Sequence, residues 1–189
     1  MNPDIIQRPL SYTQRLESRC VKDIKLVVIH STELPDMAMA RLFGEKIHHL
    51  ESRTGNSGHF YIDRDGSIEQ WVPMDRVAHH VRGFNPKSIG IELVNTGRYP
   101  DWFKSAHQQV TEPYPDMQIE ALVSLLRQLE KQLPGLESIS GHSNLDTEML
   151  PSEDRPGVEI RRKIDPGPLF PWSVIMDGIS LNRVTAEDL

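Results

Sequence analysis

Leu26-Val27-Val28-Ile29-His30 is the stretch from which the fold can be read. Residues 25–29 are short, β-branched and apolar, the pattern of a buried strand, and His30-Ser31-Thr32 stands at its carboxyl end. Ser88-Ile89-Gly90-Ile91-Glu92-Leu93-Val94 is a second strand. Between them, His59-Phe60-Tyr61-Ile62 and Ser67-Ile68-Glu69-Gln70-Trp71-Val72 flank Asp63-Arg64-Asp65-Gly66, a hairpin signal. Pro35 and Asp36 open a helix expected to run to about residue 50. Residues 117–133 form the clearest helix, with Ile119, Leu122, Val123, Leu126 and Leu129 on one stripe, Asp116 as N-cap and Pro134-Gly135 as its stop. Residues 170–176 read as a short last helix, and residues 95–116 and 143–161 as loops. Strands alternating with helices, plus one hairpin, predict an α/β fold. It is a single domain with a central mixed sheet of about five or six strands flanked by helices.

The bulk properties narrow the function. At 189 residues the chain is long enough to need no disulfide scaffold, and its one cysteine, Cys20, cannot form an internal bridge. A formal charge of −6 argues against nucleic acid and anionic membrane surfaces as partners. No apolar stretch approaches transmembrane length, and residues 1–20 show no signal-peptide pattern, so a cytoplasmic location is expected. The sequence is silent on oligomeric state.

The chemistry points to Arg162-Lys163-Ile164-Asp165-Pro166-Gly167-Pro168-Leu169-Phe170-Pro171-Trp172. Proline fixes φ and lacks the N–H, so this run is neither helix nor central strand but a rigid loop. With His30 and His142 at strand ends, Asp165 completes two imidazoles and a carboxylate, a set that suits a catalytic zinc with one position open. A mixed sheet can bring such strand ends to one edge, where clefts form. Spacing alone does not single them out. The chain has eight histidines, and a typical His is a surface or hydrogen-bonded core residue. His48-His49 and His79-His80 compete, although adjacent helical residues point in different directions.

Five segments, in order, carry a family resemblance: Val28-Ile29-His30-Ser31-Thr32; Asp63-Arg64-Asp65-Gly66 with Gln70-Trp71-Val72-Pro73; Ser88-Ile89-Gly90-Ile91-Glu92-Leu93; Gly141-His142-Ser143; and Lys163-Ile164-Asp165-Pro166-Gly167-Pro168. The chain resembles the zinc-dependent N-acetylmuramoyl-L-alanine amidases of the type that includes phage amidases and the peptidoglycan recognition proteins. The resemblance covers roughly residues 24–176, the expected amidase domain; residues 1–23 are polar and read as an irregular N-terminal arm, and residues 177–189 as a frayed tail. It implies that His30, His142 and Asp165 hold zinc (Zn2+) at one edge of the sheet, and that Glu92 and Lys163 act on the substrate. The implied substrate is the amide between N-acetylmuramic acid, or its anhydro form, and L-alanine in peptidoglycan or muropeptides, in cell-wall recycling or turnover. Elementary chemistry agrees. A strand carboxylate can carry a proton from water to the leaving amine, and a lysine can stabilise an oxyanion. Alternation puts Glu92 on the face of Gly90 and Val94, with Ile89, Ile91 and Leu93 turned to an apolar layer.

Ala78-His79-His80 aligns with an Ala-Trp-His segment of the family, so His80 is expected to contact substrate. Arg82, Asn95 and Asn85 are candidates for holding its polar groups. Trp71, Tyr99, Trp102 and Trp172 are candidates for lining a groove, or else core and loop anchors. Two departures stand out. Gly58 occupies a place where the phage and recognition-protein branch often has tyrosine, which shifts the burden to Glu92, as in the bacterial branch. The 22 residues between His142 and Asp165 include Asp146, Glu148, Glu153, Asp154 and Glu159. They form either a rim over the cleft or a mobile surface loop. Two other readings stay open: a muropeptide-binding module that does not cut, against which the complete residue set argues, and a zinc hydrolase of different specificity.

Overall fold

The computed structural model describes residues 3–189. In chain order the elements are β1 (Ile5–Gln7), β2 (Leu26–Ser31), α1 (Met37–Gly44), β3 (Phe60–Ile62), β4 (Ile68–Gln70), β5 (Ser88–Leu93), α2 (Asp116–Gln132), β6 (Ser138–Gly141), α3 (His142–Leu145), β7 (Met149–Pro151), β8 (Glu159–Arg161), α4 (Trp172–Gly178) and β9 (Asn182–Arg183). Seven strands form one mixed sheet in the order β1-β4-β3-β5-β2-β6-β9. Only β3 and β4, joined through the Asp63–Gly66 turn, pair antiparallel within it. Gly66 makes that turn at φ +84°, a conformation glycine adopts without strain.

Period-two alternation gives the central strands two different faces. Val27, Ile29, Ile89, Ile91, Leu93 and Ile139 pack with Leu122, Leu125, Leu126 and Leu129 of α2 and Ile175 of α4 into the main core. Each such side chain contributes about 1.5–3 kcal/mol by leaving water. Leu26 and Val28, from the other face, join Val81 and Leu145 in a smaller cluster. His30, Ser88, Gly90 and Glu92 continue that second face, which loops cover rather than the long helix.

The expected mixed sheet with flanking helices is the observed architecture, and the differences lie at its margins. The sheet gains two strands at its edges. The N-terminal arm, expected to be irregular, supplies β1, and Leu10, Tyr12 and Leu16 pack into a cluster with Trp71. Met1 and Asn2 lie outside the described residues. The tail, expected to fray, supplies β9 against β6. The first helix stops at Gly44 rather than residue 50, and Asp36 caps its start by accepting the Met39 N–H at 2.7 Å. Helix α2 begins at Asp116, so Pro115, not Asp116, takes the N-cap position. Residues 143–161, expected to be loop, contain α3 and the β7–β8 hairpin. Asp154 anchors that hairpin by accepting from Ser105 N (2.6 Å) and Ser105 Oγ (3.0 Å). No helix among the described residues is long and apolar enough to cross a membrane.

Candidate metal centre

Strands β2 and β5 run parallel with His30 opposite Glu92, and β3 sets Tyr61 opposite Glu92 on its other side. One cross-sheet row therefore presents His30, Glu92 and Tyr61 on the same face. On the other flank of β2, Gly141 pairs with Ile29, so His142 opens α3 beside His30. The proline-bounded loop brings in Asp165. Its carbonyl accepts the Ser143 N–H at 2.9 Å, and the Tyr114 hydroxyl donates to the Pro166 carbonyl at 2.6 Å. The site thus lies at the carboxyl-end edge of the sheet, where parallel strands leave a crevice.

His30 Nδ1, His142 Nδ1 and Asp165 Oδ2 form a triangle with every side 3.0 Å, and all three residues are buried. No arrangement of protons on neutral rings satisfies it. With both Nδ1 protonated the two N–H groups oppose each other, and with one protonated the bare nitrogen faces the carboxylate lone pair. Asp165 Oδ1 and His142 Nε2 also lack hydrogen-bond partners among the described residues. A cation resolves the conflict. Tetrahedral zinc with bonds of about 2.0–2.1 Å spaces its donors about 3.3 Å apart, close to the observed triangle. The donors carry the right charges as well. Burial, then the neighbouring His142, pushes the His30 imidazole down to about 4, so it is neutral with a free lone pair. Burial alone would raise Asp165, but His142 first, and then the close ring nitrogens of both histidines and Lys163, hold it well below the usual carboxylate range. The residues fit zinc.

Behind His30 stands His80. His30 Nε2 lies 3.0 Å from His80 Nδ1, His80 Nε2 lies 3.1 Å from Ser88 Oγ, and Ser88 Oγ donates to the Phe84 carbonyl at 2.9 Å. The direction that satisfies every group runs His30 to His80 to Ser88 to Phe84, which leaves the His30 Nδ1 lone pair facing Asp165 and His142. The ring reaches His30 because position 90 is glycine: a Cβ there would lie 2.6 Å from His80 Cγ.

Glu92 sits beside this cluster. Burial, and then the charge of Asp165, push its carboxyl well above the usual range, with Lys163 opposing. Gly58 makes room for it, since a Cβ at that position would meet Glu92 Cγ at 2.8 Å. The missing tyrosine at Gly58 therefore belongs with the placement of Glu92.

The residues expected to contact substrate lie as follows. His80 sets one ring nitrogen against His30 and the other against Ser88, inside the protein. Asn85 Oδ1 accepts from the His80 and Val81 N–H groups at 3.0 and 2.8 Å, holding the same loop. Asn95 is buried, donates to the Glu112 carbonyl at 3.1 Å and accepts the Gly97 N–H at 3.0 Å, so its amide is spent inside the protein. Arg82 is exposed and pairs with Glu148 at 3.0 Å on the β7–β8 side. Trp71 is fully buried, stacked on Tyr61 at 3.4 Å, which makes it core rather than groove. Trp102 donates to the Glu33 carbonyl at 3.0 Å as a loop anchor.

Known proteins resemble this chain over most of its length. The sequence model of the N-acetylmuramoyl-L-alanine amidase family matches residues 21–168. The 1,6-anhydro-N-acetylmuramyl-L-alanine amidase AmpD of Enterobacter cloacae is 35% identical over 121 residues, covering 59% of this chain and 51% of that protein. The chain spans about half the length of the curated relatives it matches. Among solved structures, the complex of Escherichia coli AmiD with anhydro-N-acetylmuramic acid-L-Ala-D-gamma-Glu-L-Lys superposes with a TM-score of 0.63 at 26% identity, covering 82% of this chain and 57% of that one. The endolysin amidase LysCS from Clostridium intestinale URNW shares the fold, with a TM-score of 0.66 at 21% identity over 96% of this chain and 98% of its own.

Proposed function

Because this chain belongs to the N-acetylmuramoyl-L-alanine amidase family, we propose that it hydrolyses the amide joining the lactyl group of N-acetylmuramic acid, or its anhydro form, to L-alanine. The observation that carries this reading is the convergence of His30, His142 and Asp165 with Glu92 in register beside them. We assign catalysis to residues 24–176, with the flanking segments completing the sheet edges.

Zinc held by His30, His142 and Asp165 would supply Lewis acidity and acidify a water. The chain's own residues do the rest. Glu92, in register beside His30, accepts the proton of the attacking water and delivers it to the departing amine of L-alanine. Lys163, two residues before Asp165, places a positive charge where the carbonyl oxygen gains negative charge. His80 and Ser88 fix the His30 ring, so the site needs little reorganisation during the reaction.

Soluble anhydromuropeptides are the substrate form this reading favours, in recycling within the cytoplasm. In support, the E. cloacae relative is named for the anhydro bond and the AmiD structure holds an anhydro ligand. Digestion of anhydromuropeptides and of intact sacculi, followed by mass spectrometry with and without a chelator, tests it. Release of the free stem peptide from anhydromuropeptides, abolished by chelation and restored by zinc, is expected. Peptide release that survives complete metal removal contradicts the mechanism, and cleavage of sacculi alone contradicts the substrate form.

A further inference from the structure

Three residues past His30, Glu33 takes φ +49° and turns its carboxylate inward onto Arg98. Both side chains are buried, with 8% and 1% of their surface exposed. All five N–H donors of the guanidinium are used. Nε donates to Glu33 Oε1 at 2.7 Å. One terminal nitrogen donates to Glu33 Oε2 (2.9 Å) and the Arg162 carbonyl (3.1 Å). The other donates to Gln108 Oε1 (3.1 Å) and the Arg161 carbonyl (3.0 Å). The Arg98 N–H adds a bond to Glu33 Oε1 at 3.2 Å. Gly97, at φ +54°, lets the carboxylate in, since a Cβ there would lie 2.6 Å from Glu33 Cγ.

We infer that Arg98 is a positioning residue that fixes the distance between the two halves of the metal centre. Glu33 is continuous with the strand that carries His30. Arg161 and Arg162 lead into Lys163 and stand four and three residues before Asp165. The fork therefore couples ligands that lie 135 residues apart in sequence. A buried ion pair is a poor source of stability, because an apolar pair of similar volume avoids the desolvation of two charges. What an apolar pair cannot do is present two oriented donors to a carboxylate, two to main-chain carbonyls and one to the Gln108 amide oxygen at once. A displacement of about 1 Å at a catalytic constellation lowers turnover about 100-fold, and a lost outer support lowers metal affinity about 10–100-fold.

The kinetic part of this inference rests on the amidase reading, and the metal-binding part does not. Zinc affinity, measured by competition with a chromophoric chelator, and kcat and KM on an anhydromuropeptide are to be compared among the wild type, R98M, R98K and the double variant E33M/R98M. The double variant removes both charges and guards against misfolding from a lone buried carboxylate. Zinc affinity lowered about 10–100-fold and kcat lowered about 100-fold, with KM changed less than about threefold, are expected in every folded variant. R98K is expected to rescue neither quantity, because one ammonium cannot reproduce the fork. Wild-type zinc affinity in folded E33M/R98M, or full rescue by R98K, overturns the inference. So does failure of all three variants to fold, which would make the pair a requirement of the fold itself. If the wild type cleaves nothing, the amidase reading fails alone and the zinc affinities still decide the role of Arg98.

Discussion

Gly90→Ala is the smallest change that reaches the metal centre without touching a ligand. The added methyl would lie 2.6 Å from His80 Cγ, 2.7 Å from Nδ1 and 3.0 Å from Cδ2. Ordinary carbon contacts begin near about 3.5 Å, so the ring has to withdraw by about 1 Å. Strand β5 cannot yield, because it is paired on one side to β2 and on the other to β3. The His80 backbone is held by Asn85 as well. The ring alone moves, and the 3.0 Å contact from His30 Nε2 to His80 Nδ1 opens beyond hydrogen-bond reach. Overpacking of this kind costs about 1–3 kcal/mol of stability. Loss of the outer partner of a metal-binding imidazole lowers zinc affinity about 10–100-fold, or about 1.4–2.8 kcal/mol. Urea unfolding in chelator reads the first quantity, and competition titration with a zinc indicator reads the second. Combining Gly90→Ala with His80→Ala separates them: stability recovers as the clash disappears, while zinc affinity stays low. Affinity for zinc within twofold of wild type in the single variant would refute the supporting role given to His80.

Glu92→Gln is expected to lower kcat about 10²–10⁴-fold while one equivalent of zinc stays bound, and unchanged turnover would remove Glu92 as proton carrier. Leu122→Ala, at a fully buried position of α2 facing the sheet, should cost about 2–5 kcal/mol in urea unfolding with an unchanged m-value. A loss well under 1 kcal/mol would mean that α2 does not pack as described. Zinc at a free concentration of about 100 times its dissociation constant should stabilise the apo protein by about 2.7 kcal/mol. A melting temperature that ignores zinc would contradict a site formed only in the folded state.

Legibility followed the range of the forces involved. The central strands were readable because a continuous β-branched run such as Val27-Val28-Ile29 has one physical use, burial, and α2 because its leucines repeat at helical spacing. Strands β1 and β9 were not, since each has three residues or fewer and owes its extended state to the neighbouring strand rather than to its own pattern. Hairpin β7–β8 hid in an acidic, proline-bearing stretch whose order comes from Asp154 gripping Ser105. At the site, the motifs singled out His30, His142, Asp165 and Glu92, which the fold brings together, and alternation set the face of β5 that Glu92 shares with Gly90. The same alternation puts Ser88, Gly90 and Glu92 on one side of β5, and that pattern contained the support for His80. Glu33 and Arg98 gave no local signal, because their partnership spans 65 residues and exists only in the fold.

The central claim is that two imidazoles and one carboxylate close on a single zinc ion. Anomalous scattering from crystals of zinc-loaded protein, recorded on both sides of the zinc absorption edge, measures it most directly. One peak is expected, within about 2.0–2.2 Å of His30 Nδ1, His142 Nδ1 and a carboxylate oxygen of Asp165. A strongest peak elsewhere, or these three side chains turned away from bound zinc, would contradict it.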